Sequence, residues 1–334
     1  MLQTGVHRRW DDLPFLGLAA ALMLGLLFPE WFVSARGLTV FFLQFIFFIS
    51  GLRIDFVSIA SELRDTRLLF AVGMLRLVAF PLLVAGLAQA FFPELLAPLV
   101  LLSAMPAGMT SPLFVDMIQG NVPLSLFVTA GTSLLSVLSL PLILGFLGGT
   151  ATTLGSGVIF QTLFLVMVLP LLAAQIVRIS SFGQQVIHRS QKVARVGSVL
   201  VLWLLIATIA SKHSDGILAG LMGAGSIKAF FLMSGLLLLF HVACYFVCFW
   251  RNRKDRLTVT LSLSYMNFTL AIFLAESLFR DSAAVMVVIL SMLPWNIGLL
   301  LFQWWVRRSG WMLPEREQKE NPLSRARLVR LISS

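Results

Sequence analysis

The polar residues with the clearest chemical potential lie inside apolar stretches, where a polar side chain is unfavourable unless it has a partner. Residues 102–112 have the letters LSAMPAGMTSP. The two prolines, six residues apart with Gly108 between them, disfavour a continuous helix because each removes a backbone donor. The freed backbone groups need protein, water or a ligand as partners. We therefore predict a helix break here, with Thr110 and Ser111 beside it. The alternative is a kinked helix whose hydroxyls bond its own carbonyls.

A second polar stretch, residues 258–269, has the letters TVTLSLSYMNFT within another apolar block. It contains seven hydroxyl or amide side chains, among them Ser262, Ser264 and Asn267. About half the chain separates it from Ser111, as expected where the discontinuous helices of two inverted repeats meet at mid-membrane. The two stretches together predict a transport site. The alternative for the second stretch is a helix that packs on its neighbours through small polar residues.

The elements that must position these stretches are membrane-spanning helices. The chain has 334 residues, of which 58% are hydrophobic and 12% charged, whereas soluble domains carry about 25% charged residues. This composition excludes a cytosolic enzyme, a disordered protein and a secreted disulfide scaffold. Apolar blocks of about 15–25 residues fit helices that cross a bilayer better than the strands of a barrel. The net charge is +10, and the basic residues lie between these blocks. We therefore expect them to set membrane orientation rather than to bind nucleic acid.

Span length and charge predict a topology of ten transmembrane helices. They cover about 13–29, 37–51, 68–92, 96–115, 122–147, 155–177, 196–210, 227–250, 257–279 and 283–306. Two halves of five spans, 13–147 and 155–306, must have opposite orientations, as in inverted-repeat transporters. Twenty of the 25 Lys and Arg residues fall on the side of the termini and four on the other. Both termini are therefore predicted to be cytoplasmic, with a short segment at 1–12 and a basic tail at 307–334.

Around the polar stretches the chain resembles the bile acid:sodium symporter family. Residues 106–111 (PAGMTS), 119–125 (QGNVPLS) and Thr129 are similar to the family's fourth-helix break, its Gly-Asn/Asp-x-x-Leu-Ser motif and a Thr one turn later. Residues 267–271 (NFTLA) resemble its helix-nine motif. The resemblance implies an all-α fold with a panel domain and a core domain, in which helices four and nine are unwound and cross. It also implies sodium-coupled uptake of amphipathic organic anions.

The family's sodium-ligand positions are only partly kept. Ser111, Ser125 and Thr129 remain as a residual sodium site. Pro112 stands where the family has an Asn, and Ser262 stands where it has a Glu. Met266 stands at the position of the family's helix-nine Gln, and Arg76 at that of its helix-three Gln. Hard cations need oxygen ligands and negative charge, and these exchanges make the site more positive. We therefore expect weak or absent sodium coupling, and no cofactor besides, at most, a sodium ion.

Arg76 is the most consequential of these replacements. We predict that it stands as a tethered cation where the family holds a second sodium ion, and that it favours an anionic substrate. The alternative is a structural pair with Asp116 or with helix-end carbonyls. Asp116 is also a candidate proton-coupling carboxylate if it is buried. Glu276, near the outer end of span nine, is expected to pair with Arg280 (i, i+4).

These observations predict a secondary transporter of a small organic anion, bile-acid-like or another carboxylate, that works by alternating access in a bacterial inner membrane. No enzyme signature is present. A non-transporting membrane receptor on the same scaffold and a related efflux carrier remain as alternatives. An arsenite carrier is disfavoured because both cysteines, Cys244 and Cys248, lie on span eight rather than at the helix-four break. The sequence leaves the oligomeric state open.

Overall fold

The computed structural model describes residues 13–54, 65–147, 155–215, 224–279 and 282–292, together with 294, 295, 297, 298, 301, 302 and 304. Within these residues the regular structure is helical, and the one β-type contact is an isolated bridge between Ala107 and Met266. The predicted terminal segments, 1–12 and 307–334, lie outside the described residues. An all-helical chain with several apolar helices is the architecture of a helical membrane protein.

The helices follow the predicted apolar blocks along the chain. In the first half they are α1 (Leu13–Leu27), α2 (Thr39–Arg53), α3 (Thr66–Phe91), α4a (Leu96–Ser103), α4b (Ser111–Met117) and α5 (Val122–Leu147). In the second half they are α6 (Ser156–Ile179), α7 (Ser181–Lys212), α8 (Ala224–Val247), α9a (Arg253–Ser264), α9b (Phe268–Leu278) and α10 (Ser282–Leu290). A 3-10 helix, Pro29–Leu38, leads directly into α2.

Among the described residues, four helical stretches are long and apolar enough to cross a membrane: Pro29–Arg53, α3, α5 and α6. The parts of α4 and α9 are much shorter. A helix rises about 1.5 Å per residue, so α4a or α9b alone is about half as long as the bilayer core is thick, or less. Both predicted polar stretches therefore coincide with interruptions between short helices.

Two stretches between the predicted spans are helical. The predicted span 196–210 agrees with the apolar part of α7, Val196–Lys212; the helix itself starts 15 residues earlier, at Ser181, where the Ser180 hydroxyl accepts from the amide of Gly183 at 3.0 Å. The added part is rich in Gln, Arg and Lys, which are good helix formers that hydropathy does not detect. Pro29–Leu38 is likewise a 3-10 helix rather than an open loop.

The helices pack in two groups. The panel group consists of α1, α2, α6 and α7, and the core group consists of α3, α4, α5, α8, α9 and α10. In the panel group, α1 and α7 approach so closely at Gly25 that a side chain there would overlap the carbonyl of Ala207. The two groups meet where α5 packs on α6 and where α9b packs on α2 and α7.

Two helices contain a π-helical turn directly before a proline. In α3 the turn is Leu75–Ala79 and Pro81 follows; in α6 it is Phe164–Val168 and Pro170 follows. A helical proline removes a donor and clashes with the preceding turn, which one wider turn accommodates. In α3 this wider turn carries Arg76, whose side chain is completely buried.

Candidate transport site

The two interrupted helices meet at their breaks. The amide of Gly108 donates to the carbonyl of Tyr265 at 2.6 Å, and the amide of Asn267 donates to the carbonyl of Pro106 at 3.0 Å. These two bonds form the antiparallel bridge between the breaks. Each break thus supplies partners for backbone groups that the other has released, which removes a desolvation penalty of several kcal/mol per group. We call this region the crossing.

Gly108 permits this close approach. A Cβ atom at Gly108 would overlap the ring of Tyr265 and lie 3.0 Å from the carbonyl oxygen of Met266. A residue with a side chain at this position would therefore push the two breaks apart.

The local sequence explains where each break falls. α4a ends before Pro106, which cannot donate, and α4b begins with Pro112 in its first turn, where a missing donor is tolerated. The second break contains neither Pro nor Gly. There the Asn267 side chain caps α9b by accepting from the amide of Leu270 at 3.1 Å, and Trp295 Nε1 donates to the carbonyl of Ser264 at the end of α9a.

Arg76 reaches the first break. Its Nε donates to the carbonyl of Met105 at 2.6 Å, and its guanidinium carbon lies 4.9 Å from the ring centroid of Phe240 and 5.7 Å from that of Phe80. Its two terminal nitrogens make no hydrogen bond to any described residue. A carbonyl at the break and two aromatic faces therefore surround this buried cation, and no described carboxylate pairs with it.

Asp116 does not pair with Arg76. It lies near the end of α4b and its side chain is exposed. The short half-helix turns this carboxylate outward. Of the two alternative partners for Arg76, the contact with a helix-end carbonyl is therefore present and the pair with Asp116 is not. The burial on which a proton-coupling role of Asp116 depended is absent.

The residues that were predicted to form a residual sodium site are joined by hydrogen bonds between hydroxyl groups. Ser111 and Thr129 have hydroxyl oxygens 2.9 Å apart, and those of Ser125 and Ser262 are 2.7 Å apart. All four side chains are buried. Ser262 donates its own proton to the carbonyl of Thr258 at 2.8 Å, so Ser125 is the donor in the second pair. The hydroxyls thus satisfy one another across α4b, α5 and α9a.

This cluster is a poor match for a sodium ion. A hard cation needs several oxygen ligands and a compensating negative charge. Ser262 occupies the position at which the resemblance implies a Glu, and its hydroxyl is already hydrogen-bonded to that of Ser125. Among the described residues, none of these hydroxyls bonds to a carboxylate. The residues present therefore fit a hydrogen-bonded contact between helices better than a charged ion site.

A carboxylate that sequence reasoning missed lies at the start of α9a. Asp255 is buried and accepts a hydrogen bond from the side-chain Nδ2 of Asn121 at 2.9 Å. The backbone amide of Asn121 donates to the Thr258 hydroxyl at 2.8 Å. Arg251 Nε lies 3.6 Å from Asp255 and 3.7 Å from Asp65. The spacing Asn252-x-x-Asp255, typical of a helix start, is the signal that could have marked this carboxylate as a capping residue.

An open cleft lies beside the crossing, between the panel group and the two breaks. The described residues that line it are Leu43, Ile46, Phe47, Ser50, Arg53, Gly108, Met109, Thr110, Ser198, Val199, Leu202, Tyr265, Met266, Asn267, Phe268, Thr269 and Met292. The Nδ2 of Asn267, a buried residue in this lining, has no hydrogen-bond partner among the described residues.

Apart from the exposed Asp116, the predicted site residues fall into two sets. Gly108, Thr110 and Asn267 line the cleft. Arg76, Ser111, Ser125, Thr129, Ser262 and Ser264 are buried and do not line it. Arg53 was missed because a basic residue at the end of an apolar span was interpreted only as a marker of orientation.

At the other end of the panel, Glu276 pairs with Lys212; its predicted partner, Arg280, lies outside the described residues. Lys212 ends α7 and Glu276 belongs to α9b, so the ion pair joins the panel group to the core group. Next to it, Arg36 Nη2 donates to the carbonyl of Ser211 at 2.8 Å. This places the ion pair near the N-terminal end of α2.

Comparisons with known proteins agree with this architecture. The model of the SBF-like CPA transporter family matches residues 13–307. Sodium/bile acid cotransporter 7 of Danio rerio is 29% identical over 198 residues, which cover 57% of this chain and 57% of that protein. The family match spans both breaks, Arg76 and the residues that line the cleft, and the family is described as one of transporters. Because the match extends over most of its length, the chain belongs to the SBF-like CPA transporter family.

Proposed function

We propose that this protein is a secondary transporter that carries a small amphipathic organic anion by alternating access, with its substrate site at the crossing. The observation that carries the proposal is the pair of backbone hydrogen bonds that join the two breaks beside an open cleft. Broken helices in a membrane are tolerated where they line a cavity, and they present amide groups to a ligand. The name of the Danio rerio relative suggests a bile-acid-like molecule or another carboxylate as the substrate.

The arrangement of the two groups supports alternating access. The panel group contains the first two helices of each half, and the core group contains the other three. Such a division is what two inverted repeats, 13–147 and 155–306, would produce. We propose that the panel group moves against the core group, so that the cleft opens first to one side of the membrane and then to the other.

We further propose that Arg76 replaces a coupling ion. Carbonyl groups at the C-terminal end of a helix carry partial negative charge, and the Arg76 Nε already binds the carbonyl of Met105 just beyond α4a. A fixed guanidinium supplies positive charge at the break without an ion being bound. The hydroxyl pairs at Ser111, Ser125 and Thr129 then remain as contacts between helices, and transport needs no sodium.

The distribution of basic residues supports an orientation. Arg53, Arg67 and Arg178, with most other basic residues, fall on the side that both termini share in the predicted topology. We propose that this side faces the cytoplasm and that the protein resides in a plasma membrane, the inner one in bacteria.

The test is uptake by the purified full chain in liposomes, with labelled cholate as the probe and either sodium or choline as the external cation. We expect saturable uptake above that of protein-free liposomes, with equal rates in the two salts. Asn267→Leu, which fills the cleft next to the crossing, should abolish it. Saturable binding without flux would instead favour a receptor. A steep sodium requirement would contradict only the proposal that Arg76 replaces a coupling ion, and not the proposal of transport. Release of labelled cholate from preloaded liposomes would identify an efflux carrier.

A further inference from the structure

The basic residue in the lining of the cleft belongs to the panel group. Arg76 is sealed beneath the first break, whereas Arg53, in the last turn of α2, lines the cleft and is only half-buried. Among the described lining residues, Arg53 is the charged one. Arg53 therefore brings a basic residue to the wall that the panel group contributes.

The end of α2 that bears Arg53 is held in place by α6. Gln175 Nε2 donates to the carbonyl of Gly51 at 2.7 Å, and Arg178 Nη1 donates to that of Leu52 at 2.8 Å. These bonds satisfy carbonyls that a helix C-terminus otherwise leaves open. The backbone position of Arg53 is thus fixed within the panel group, and Arg178, on the neighbouring helix, directs its charge to a carbonyl rather than to the cleft.

The remainder of the cleft wall suits an apolar body with one polar end. The lining residues of α2 recur at spacings of three or four residues, which places them along one face of the helix: Leu43, Phe47, Ser50 and Arg53. From Leu43 to Arg53 this face extends about 15 Å, at about 1.5 Å per residue. The polar groups of the crossing, Thr110 and Asn267, lie in the wall that the core group contributes.

We propose that Arg53 binds the anionic group of the substrate and thereby selects amphipathic monoanions, while the apolar body lies along α2. A guanidinium pairs well with a carboxylate or a sulfonate because its donors form a planar fork. This inference rests on the proposed function and assigns charge selection to Arg53, whereas the sequence had suggested Arg76.

The test is direct binding to the purified full chain, measured by thermal stabilisation below the micelle-forming concentration of the probes. The probes are cholate and its uncharged methyl ester. We expect wild type and Arg53→Lys to prefer cholate, and Arg53→Gln to bind cholate about ten- to hundredfold more weakly with unchanged affinity for the ester. The matched control is Arg67→Gln, since Arg67 is exposed, stacks on Trp250 at 4.0 Å and does not line the cleft.

Two outcomes would overturn the inference, and they differ in what else they contradict. If Arg53→Gln binds cholate as tightly as wild type, Arg53 does not select charge, and the proposed function is unaffected. If wild type neither binds nor transports cholate, the proposed function fails and the role of Arg53 fails with it. The melting temperature without ligand shows whether Arg53→Gln is folded. If it is not, Arg53→Lys is compared with wild type instead: a retained preference for cholate over the ester supports the inference, and a lost preference contradicts it.

Discussion

The Nε of Arg76 lies 2.6 Å from the carbonyl oxygen of Met105, the last residue before Pro106. Pro106 interrupts α4 and leaves this carbonyl without its usual helical partner. The π-helical turn in α3 places Arg76 under the break, and the aromatic rings of Phe80 and Phe240 cover its guanidinium. A buried cation here therefore stabilises an irregular backbone that the crossing requires.

Arg76→Met should destabilise the protein. Methionine fills a similar volume but cannot donate, so the Met105 carbonyl becomes a buried acceptor without a partner, which costs about 1–3 kcal/mol. We expect a lower melting temperature and a loss of uptake in liposomes. Arg67→Met is the control, because Arg67 is exposed and should change stability by about 0.5 kcal/mol or less. Equal melting temperatures for the two variants would contradict this role of Arg76.

The Ser125–Ser262 contact predicts that sodium binding can be introduced. Ser262→Glu returns a carboxylate to the hydroxyl cluster, and Arg76→Gln removes the competing cation. The double variant should be less stable than wild type in choline chloride, because a buried carboxylate lacks a partner. Sodium should then stabilise it by about 1.4 kcal/mol at ten times the dissociation constant.

The control for this experiment is Ser262→Gln with Arg76→Gln, which has nearly the same shape without the carboxylate. Its melting temperature should be equal in sodium and in choline. If the Glu-containing variant also shows no response to sodium, Ser111, Ser125 and Thr129 are not a residual sodium site.

Gly108→Ala should disrupt the crossing. The new Cβ would overlap the Tyr265 ring and approach the Met266 carbonyl, and such overpacking costs about 1–3 kcal/mol. We expect reduced stability and reduced uptake. The control is Gly86→Ala, because Gly86 lies within α3 and a Cβ added there would meet no described neighbour within 4 Å. Alanine there should be neutral or stabilise by about 0.4–1 kcal/mol; a Gly108→Ala protein as stable and as active as Gly86→Ala would show that the breaks tolerate separation.

The two breaks differ in how well the sequence could reveal them. The first follows from Pro106 and Pro112, whose backbone chemistry acts locally and holds in any environment. The second was visible only as a density of polar residues, because its cause is partly tertiary: Trp295 and the first break supply the partners for the backbone of α9. Asn267, as a helix cap, was the local signal.

Side-chain partners were harder to predict than helices. Asp116 lies on a half-helix of seven residues, too short for a pattern to define its buried face. The described partner of Glu276, Lys212, is 64 residues away along the chain, so no local spacing could have indicated this ion pair. The polar first part of α7, residues 181–195, was not predicted as helix because hydropathy marks only the apolar part of a helix. These features depend on packing between helices, which composition and spacing do not encode.

The Lys212–Glu276 ion pair should restrain the panel group against the core group. Its neighbours Arg36 and Ser211 place it at the N-terminal end of α2, about 20 Å along the helix from Arg53. If the cleft opens at the Arg53 end, this pair closes the opposite end. We therefore expect that linking Lys212→Cys to Glu276→Cys with a short thiol-cleavable reagent blocks uptake, and that a reducing agent restores it.

The matched control joins two positions within the panel group, Arg36→Cys and Ser211→Cys, with the same reagent. That link leaves the panel group free to move as a unit, so uptake should continue. The native cysteines, Cys244 and Cys248, are buried and unpaired with each other, and the unmodified protein treated with the reagent measures their contribution. Undiminished uptake by the linked Lys212/Glu276 variant would mean that transport does not separate the two groups at this end.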